Sequence, residues 1–152
     1  MSRSRRSEVD ERLHATARAR LEQADQRYTS ARRRLVQALA AADGPLSVAD
    51  LLSGAVGLPQ SSVYRNLADL VQAGVVSCVN GTDDFVRYEL AEDLAGHHHH
   101  LVCTGCGAIA DVTLPRAIEQ AVGRAADEVA TATGFRPIAH RVDLLGTCAR
   151  CS

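Results

Sequence analysis

Two Cys-x-x-Cys pairs constrain this chain more than any other feature of its sequence: Cys103 with Cys106, and Cys148 with Cys151. Each pair offers two thiolates on one tight turn, and two such turns together suit a single tetrahedral zinc ion. The alternative is a pair of disulfides or a redox pair. The lack of an export signal and of a redox strand-to-helix turn disfavours it. We therefore expect folding to bring the four sulfurs together around structural zinc.

A run of four histidines, His97 to His100, lies just before the first pair. It leads into Leu-Val-Cys and is expected to be extended, so that successive side chains point to opposite faces. His97 and His99 then face one way, and His98 and His100 the other. One tetrapeptide can thus serve two separate metal sites. The alternative is a purification tag, but tags are normally terminal and longer, whereas this run is internal.

Length and charge set further bounds. At 152 residues the chain has room for one domain or two small ones, and its 17 Lys or Arg residues are all Arg. Residues 1–34 hold ten Arg against five acidic residues, and the remainder holds seven Arg against thirteen. The excess of Arg in residues 1–34 predicts that an anionic partner binds the N-terminal half. The alternative is that these charges are only solvated by water.

The sequence contains no run of roughly 18 apolar residues, which a membrane span needs, and its start lacks the apolar segment of a signal peptide. We therefore expect no membrane association. Together with reduced thiols, this pattern predicts a cytoplasmic protein.

Four helices are predicted in the first half from apolar spacing and from capping residues. The first has a capping-box-like start, the second is entered at Thr29 or Ser30, and the third is capped by Ser47. The fourth begins at Pro59 and is ended by Gly74. The predicted spans are Ser7 to about Ala24, Tyr28–Ala42, Val48 to about Gly54, and Pro59–Ala73.

The fourth helix carries side chains suited to nucleic acid. Val63, Leu67 and Leu70 form one buried stripe. Short hydroxyls, Tyr and Arg near the helix start can reach phosphates and base edges. Asp69 would repel phosphate, so only the first two turns should face DNA. The candidate DNA contacts, including one on the second helix and one on the following hairpin, are Ser61, Ser62, Tyr64, Arg65, Arg32 and Arg87.

Two strands follow, Val75–Val79 and Phe85–Leu90, joined by a loop that starts with the hairpin signal Asn-Gly. Helices and a hairpin in this order predict a winged helix-turn-helix DNA-binding domain. A winged helix that binds protein is the alternative. Farther on, a strand over 108–112, a helix from Pro115 to about Thr133 and a strand over 138–145 predict a small α/β unit. Its narrow sheet leaves an edge that a second copy can cover.

The expected fold class is therefore α+β, with the winged helix followed by an α/β dimerisation domain that carries the four-cysteine zinc site. We predict a helical extension at residues 1–27, the winged helix at 28–91, a hinge at 92–96, and the dimerisation and metal-binding domain at 97–152.

Taken together, the Ser61–Leu67 segment, the hairpin, the His run with its Leu-Val-Cys-x-x-Cys-Gly continuation and the closing Cys-x-x-Cys resemble the ferric uptake regulator (Fur) family. The resemblance covers about residues 28–151. These proteins are bacterial metal-sensing transcription factors. The resemblance implies a homodimer in which metal fixes the angle between domains, so that both recognition helices fit an inverted-repeat DNA operator.

The resemblance also implies three ligand sets. The structural zinc ligands are Cys103, Cys106, Cys148 and Cys151. A site within the dimerisation domain would use His97, His99, Glu119 and His140. A regulatory site facing the hinge would use Glu89, His98 and His100, with Asp111 matching a carboxylate that some members use. A metal bridging Glu89 to the two histidines would tie the wing to the dimerisation domain.

The sequence departs from the family pattern near the regulatory site. Iron- and peroxide-sensing members usually supply another His from the loop before Ser47, which here reads Asp-Gly-Pro-Leu. Cys78 is a further candidate ligand, and a thiolate would favour zinc over ferrous iron. Its alternative role is that of a small buried hydrophobe. His14 is expected on a helix surface.

We thus expect a metal-dependent repressor with structural Zn²⁺ and a regulatory Zn²⁺, Fe²⁺ or Mn²⁺. A zinc sensor is the preferred hypothesis, and an iron, manganese or peroxide sensor of the same family is the alternative. An enzyme is not expected, since neither His-Glu-x-x-His nor the zinc deaminase signature occurs. A zinc buffer or chaperone without DNA binding is the alternative from another class, and it would not need Tyr64 and Arg65.

Overall fold

A computed structural model describes residues 3–54 and 56–152. The chain divides into two compact units, one ending at Gly96 and the other running from His97 to Ser152. Within the described ranges, every helix is too short or too polar to span a lipid bilayer.

The first unit has the architecture of a winged helix. Its sheet is antiparallel, with strand order β1-β3-β2. In chain order its elements are α1 (Arg3–Gln23), α2 (Ser30–Ala40), β1 (Leu46–Ser47), α3 (Val48–Ser53), α4 (Gln60–Gln72), β2 (Val76–Asn80), β3 (Val86–Leu90) and α5 (Glu92–Ala95).

Local capping explains most of these boundaries. The Thr29 hydroxyl accepts from the Arg32 backbone N–H at the start of α2, and Ser47 and Asp50 form a reciprocal capping box on α3. Gly74 has a φ of 67°, which ends α4 where the sequence predicts. The predicted cap at Ser7 is wrong, because α1 already begins at Arg3. Residues of the predicted hinge form one helical turn, α5.

The N-terminal helix belongs to the core of this unit. Ala17 and Leu21 of α1 are fully buried in the same apolar cluster as Leu35 and Leu67. His14 is 4% exposed and its Nδ1 hydrogen-bonds to the Tyr28 hydroxyl. The prediction of a surface position for His14 is therefore wrong, because this face of α1 packs against Tyr28, in the segment just before α2. Burial and the nearby Arg33 lower the pKa of His14.

The second unit is a three-stranded sheet with one long helix. Its elements are β4 (His99–Cys103), β5 (Ile109–Val112), α6 (Arg116–Thr133) and β6 (Asp143–Gly146). The strand order is β5-β4-β6, with β5 antiparallel and β6 parallel to β4. The last strand is shorter than predicted. Its pairing begins at Asp143 opposite His100, because the partner strand itself begins only at His99.

This second unit has almost no hydrophobic core. In residues 97–152, all of which are described, the buried side chains are those of His99, His100, Val102 and Cys103. No residue of α6 is buried, and Ile118 on its apolar face is half exposed. The unit therefore needs support beyond its own apolar packing.

Candidate metal centres and candidate DNA-contact helix

The four cysteines of the two Cys-x-x-Cys pairs converge in the second unit. Their sulfurs lie within 4.8 Å of one another, and those of Cys106 and Cys148 are 3.8 Å apart. All five cysteines of the chain are free thiols. A disulfide needs about 2.05 Å between sulfurs, whereas four sulfurs placed tetrahedrally at about 2.3 Å from zinc lie about 3.8 Å apart. The spacing fits zinc.

Backbone N–H groups hydrogen-bond to one of these sulfurs and favour its thiolate form, which is the form that binds a cation. The Cys148 N–H donates to Cys103 Sγ at 3.3 Å. This bond, with bonds from the N–H groups of Cys106 and Gly105, lowers the pKa of Cys103 to about 6. In contrast, hydrogen bonds between the Cys151 thiol and the sulfurs of Cys106, Cys148 and Cys103 raise the pKa of Cys151 to about 12, with a smaller contribution from desolvation. A bound cation would favour the thiolate form throughout.

The two odd-numbered histidines of the run, together with His140, contact one carboxylate. Glu119 on α6 is 3.3 Å from His97 Nε2, 2.7 Å from His99 Nε2 and 3.1 Å from His140 Nε2. The ring centroids of His97 and His99 are 4.7 Å apart. Three imidazoles and a carboxylate whose donor atoms lie within 4.8 Å form a set suited to a divalent metal.

Glu119 is held in its charged form. Burial raises the pKa of this carboxyl, but hydrogen bonds from His99 and His140 outweigh burial, and the net pKa is lowered. A carboxylate is thus present among the imidazoles at neutral pH, ready to bind a cation.

The even-numbered histidines lie on the other face. His98 Nε2 and His100 Nε2 are each 3.9 Å from Asp111 Oδ1, and the two ring centroids are 5.2 Å apart. Asp111 reaches them because β5 pairs with β4 so that Asp111 lies opposite His100. The alternation predicted from an extended His run is therefore confirmed.

Glu89 and Cys78, two further candidate ligands, both lie on the wing. Strand β2 pairs with β3 so that Ser77 lies opposite Glu89 and Cys78 opposite Tyr88. Residues adjacent along a strand point to opposite faces, so Cys78 faces away from the side that carries Glu89. The Cys78 side chain is also exposed, so the alternative of a buried hydrophobe is wrong.

At the start of α4, the side chains predicted to contact nucleic acid are exposed or partly exposed to solvent. Ser61, Tyr64 and Arg65 are exposed, and Ser62 is partly exposed. On the opposite side Val63, Leu67 and Leu70 are fully buried, as the apolar spacing predicts.

The other two candidate DNA contacts, Arg32 and Arg87, are engaged inside the first unit. Arg32 forms an ion pair with Asp69 of α4, and its side chain is 12% exposed. Both terminal nitrogens of Arg87 lie 2.7 Å from the Asp83 carboxylate, an arrangement that lowers the Asp83 pKa to about 2. These guanidinium groups hold the wing and α4 in place rather than facing solvent.

Sequence reasoning missed two contributors. A Cβ added to Gly105 would lie 3.0 Å from Cys151 Cβ, so a side chain at this position would crowd the second cysteine turn. Asp143 Oδ1 lies 3.4 Å from His100 Nδ1. In the sequence Asp143 lies three residues after His140. Only the pairing of β6 with β4 shows that it contacts His100 instead.

Comparison with known proteins places these clusters in context. The ferric uptake regulation protein of Bacillus subtilis (strain 168) is 35% identical over 95 residues, which cover 60% of this chain and 59% of that protein. The zinc uptake regulation protein of Mycobacterium tuberculosis is 35% identical over 92 residues, 60% of this chain and 65% of that protein. The chain thus spans about three fifths of the length of these curated relatives.

The fold has solved counterparts as well. The structure of the Helicobacter pylori ferric uptake regulator Fur matches with a TM-score of 0.72 over 93% of each chain, at 23% identity. This likeness confirms the predicted fold class, a winged helix followed by a small α/β domain with a cysteine cluster. The family model described as the ferric uptake regulator family matches residues 23–145. The chain therefore belongs to the ferric uptake regulator family.

Proposed function

We propose that this protein is a homodimeric, metal-dependent DNA-binding transcriptional repressor. The observation that carries the proposal is the division of one His run between two donor clusters beside a four-sulfur cluster. The same chain bears a winged helix whose α4 exposes hydroxyl, phenol and guanidinium groups at its start. Membership in the ferric uptake regulator family also supports a regulatory role for a chain that combines metal-donor clusters with a winged helix.

The four cysteines would hold a structural zinc ion. A set of four thiolates leaves no open coordination position, so this site is suited to folding rather than to chemistry. Structural zinc contributes about 10–16 kcal/mol of apparent binding free energy in small domains. The second unit has few buried apolar side chains, so we expect its fold to depend on these ligands.

The regulatory site would consist of His98, His100 and Asp111. On the ground of the family resemblance, we retain Glu89 of the wing strand as a further ligand. The donors are nitrogen and oxygen, which zinc, ferrous iron and manganese all accept, and zinc binds such sites most strongly of the three at equal availability. Zinc is therefore our proposed effector, with iron or manganese the alternatives. Known relatives include ferric, zinc and peroxide regulators.

A second copy of the chain would cover the apolar surface of the second unit. Leu144 and Leu145 on the edge strand β6 and Ile118 and Val129 on α6 are exposed. An open strand edge with flanking apolar side chains favours self-association. A twofold-symmetric dimer would carry two copies of α4 and would therefore match an inverted-repeat operator.

Regulation would follow from reciprocal coupling between metal and DNA. If metal favours the arrangement in which both α4 helices fit the operator, DNA must equally favour metal binding. A coupling of about 1–3 kcal/mol corresponds to roughly 5–150-fold in DNA affinity. In this proposal Ser61, Ser62, Tyr64 and Arg65 contact the duplex.

The test is selection of duplexes from a random library with Zn²⁺, Fe²⁺, Mn²⁺ or no added metal, followed by affinity measurement at several salt concentrations. We expect an inverted repeat to be bound at least fivefold more tightly with one of these metals than without. No metal-dependent preference over random duplex would overturn the repressor proposal and leave a zinc buffer.

Two variants separate the structural site from the sensing site. Cys103→Ser should lose tightly held zinc and the dimer, because the thiolates contribute folding free energy. His98→Ala should keep the dimer and the cysteine-bound zinc but lose the metal dependence of DNA binding. Dimerisation is measured by sedimentation and zinc by elemental analysis. Equal loss of the dimer in both variants would contradict this division.

A further inference from the structure

We propose that Arg20 of α1 is a positioning residue that holds α5, the helical turn just before the His run, on the turn that ends α4. The proposal rests on the function proposed above, because it concerns how metal at the His run influences DNA binding. Arg20 precedes residues 23–145, which the family model matches, so its contacts are not carried over from the family resemblance.

The Arg20 guanidinium bonds to two segments at once. Its Nη1 donates to the backbone carbonyl of Gly74, the residue that ends α4. Its Nη2 donates to Asp93 Oδ2, and its Nη1 lies 3.4 Å from Asp93 Oδ1. Both terminal nitrogens therefore contact the carboxylate of α5. One side chain of α1 thus connects α5 to the turn after the candidate DNA-contact helix.

The base of this contact is held by the core. Leu21, the next residue of α1, is fully buried in the apolar cluster of the first unit, and so is Ala17, nearly one turn earlier. The Arg20 side chain is 25% exposed. A guanidinium is a planar fork whose donors suit a carboxylate and a carbonyl together. Arg20 therefore binds α5 from a helix that is itself fixed in place.

The pair of Arg20 and Asp93 is charged but partly solvated. Bonds from Arg20 lower the pKa of the Asp93 carboxyl, so that Asp93 is ionised at neutral pH. The Asp93 side chain is 63% exposed, and such surface pairs contribute little to the stability of a whole domain. We therefore expect the pair to act on the local motion of α5 and not on global unfolding.

The chain enters the His run immediately after this contact. Helix α5 ends at Ala95, and the next residue, Gly96, has a φ of 91°. The Ala91 N–H donates to the Val75 carbonyl at 3.0 Å, so the start of α5 is bonded to the turn that Arg20 also contacts. Since α5 is held at both points, we expect changes of direction at Gly96, because glycine adopts such a φ without strain. The contact thus confines the predicted hinge to Gly96.

A restrained α5 makes metal binding more effective in regulation. A metal ion changes DNA affinity only if it favours the arrangement that binds DNA. If α5 pivoted freely, its motion would absorb a change at the His run before that change affected α4. The contact between Arg20 and Asp93 removes this freedom. Arg20 should therefore increase the ratio of DNA affinity with metal to DNA affinity without metal.

The test compares the full chain with Arg20→Ala and Asp93→Asn, with zinc kept in the cysteine site. Amide hydrogen exchange followed by NMR, without added metal or DNA, reports the local opening of α5. The amides of residues 94–96 are informative because they donate to the carbonyls of Ala91 and Glu92. We expect both variants to exchange these amides about two- to fivefold faster than wild type.

The second measurement is the affinity for the selected inverted-repeat duplex, with and without the most effective of Zn²⁺, Fe²⁺ and Mn²⁺. We expect both variants to lower the ratio of these two affinities by about two- to fivefold. A role of Arg20 in local stability alone would leave this ratio unchanged.

Matched variants make the result specific. Arg12→Ala removes an exposed guanidinium from the same helix and should leave both measurements unchanged. Arg20→Lys keeps the charge but not the planar fork, so it should lie between wild type and Arg20→Ala. The double variant with Arg20→Ala and Asp93→Asn should be no worse than either single variant, because both substitutions remove the same contact.

Unchanged exchange of residues 94–96 in both variants would overturn the proposal. So would faster exchange with an unchanged affinity ratio, since the pair would then only stabilise α5. A wild-type chain without metal-dependent DNA binding would overturn the repressor function and this proposal together. A wild-type ratio that both variants retain would overturn this proposal alone.

Discussion

At the scale of single residues, Gly105 has the most constrained position in the cysteine cluster. An added Cβ would lie 3.0 Å from Cys151 Cβ and 3.2 Å from its Sγ, so Gly105→Ala must displace the C-terminal cysteine turn. We expect this variant to release zinc to a chromophoric chelator at least about tenfold faster than wild type, since ligand geometry sets affinity. Gly123→Ala is the control, because nothing lies within 4 Å of its added Cβ. Equal zinc release from both variants would show that the turn tolerates a side chain.

Arg32 and Asp69 give a second prediction at this scale. Arg32 neutralises the one carboxylate on α4, so Arg32→Ala should expose that charge to the DNA backbone and weaken binding by about 1 kcal/mol, roughly fivefold. The double variant with Asp69→Asn should recover most of the loss, as measured by titration of labelled operator. A double variant as weak as Arg32→Ala would instead make Arg32 a direct DNA contact, as expected from its sequence.

At the scale of elements, α1 is the clearest revision. The sequence separates residues 1–27 as an extension, yet Leu21 is fully buried in the core of the first unit. We expect Leu21→Ala to lower the free energy of unfolding of this unit by about 2–5 kcal/mol, because it leaves a cavity. Val9→Ala on the exposed side of the same helix should cost less than about 0.5 kcal/mol. Urea unfolding followed by circular dichroism measures both, and two equally small effects would restore the view of α1 as an appendage.

Elements with strong local signals were predictable, and those fixed by pairing were not. Helix α4 has an apolar stripe and a terminal Gly, and the prediction for it agrees with the structure within a residue at each end. Strand β1 and helix α5 are too short to show any periodicity. Likewise, Arg87 looked available for DNA because the loop conformation that brings Asp83 onto it, only four residues earlier, has no periodic sequence signal.

At the scale of the whole molecule, some features of the metal clusters were also predictable from local sequence, whereas others depend on how distant segments pack. The Cys-x-x-Cys pairs and the alternation along the His run are local properties, and both were predictable from the residues alone. The meeting of Glu119 and His140 with this run depends on how α6 and the segment before β6 pack on the sheet. Only the family resemblance pointed to those two residues. Asp143 was missed because only the parallel pairing of β6 with β4 brings it beside His100.

The central claim is that one alternating His run supplies two independent metal sites while paired cysteines supply a third. Native mass spectrometry of the zinc-saturated protein tests it most directly. The account predicts three zinc ions per chain. His97→Ala and His98→Ala should each lose one ion, and the double variant should lose two. Loss of both ions from either single variant, or of none from the double variant, would contradict it.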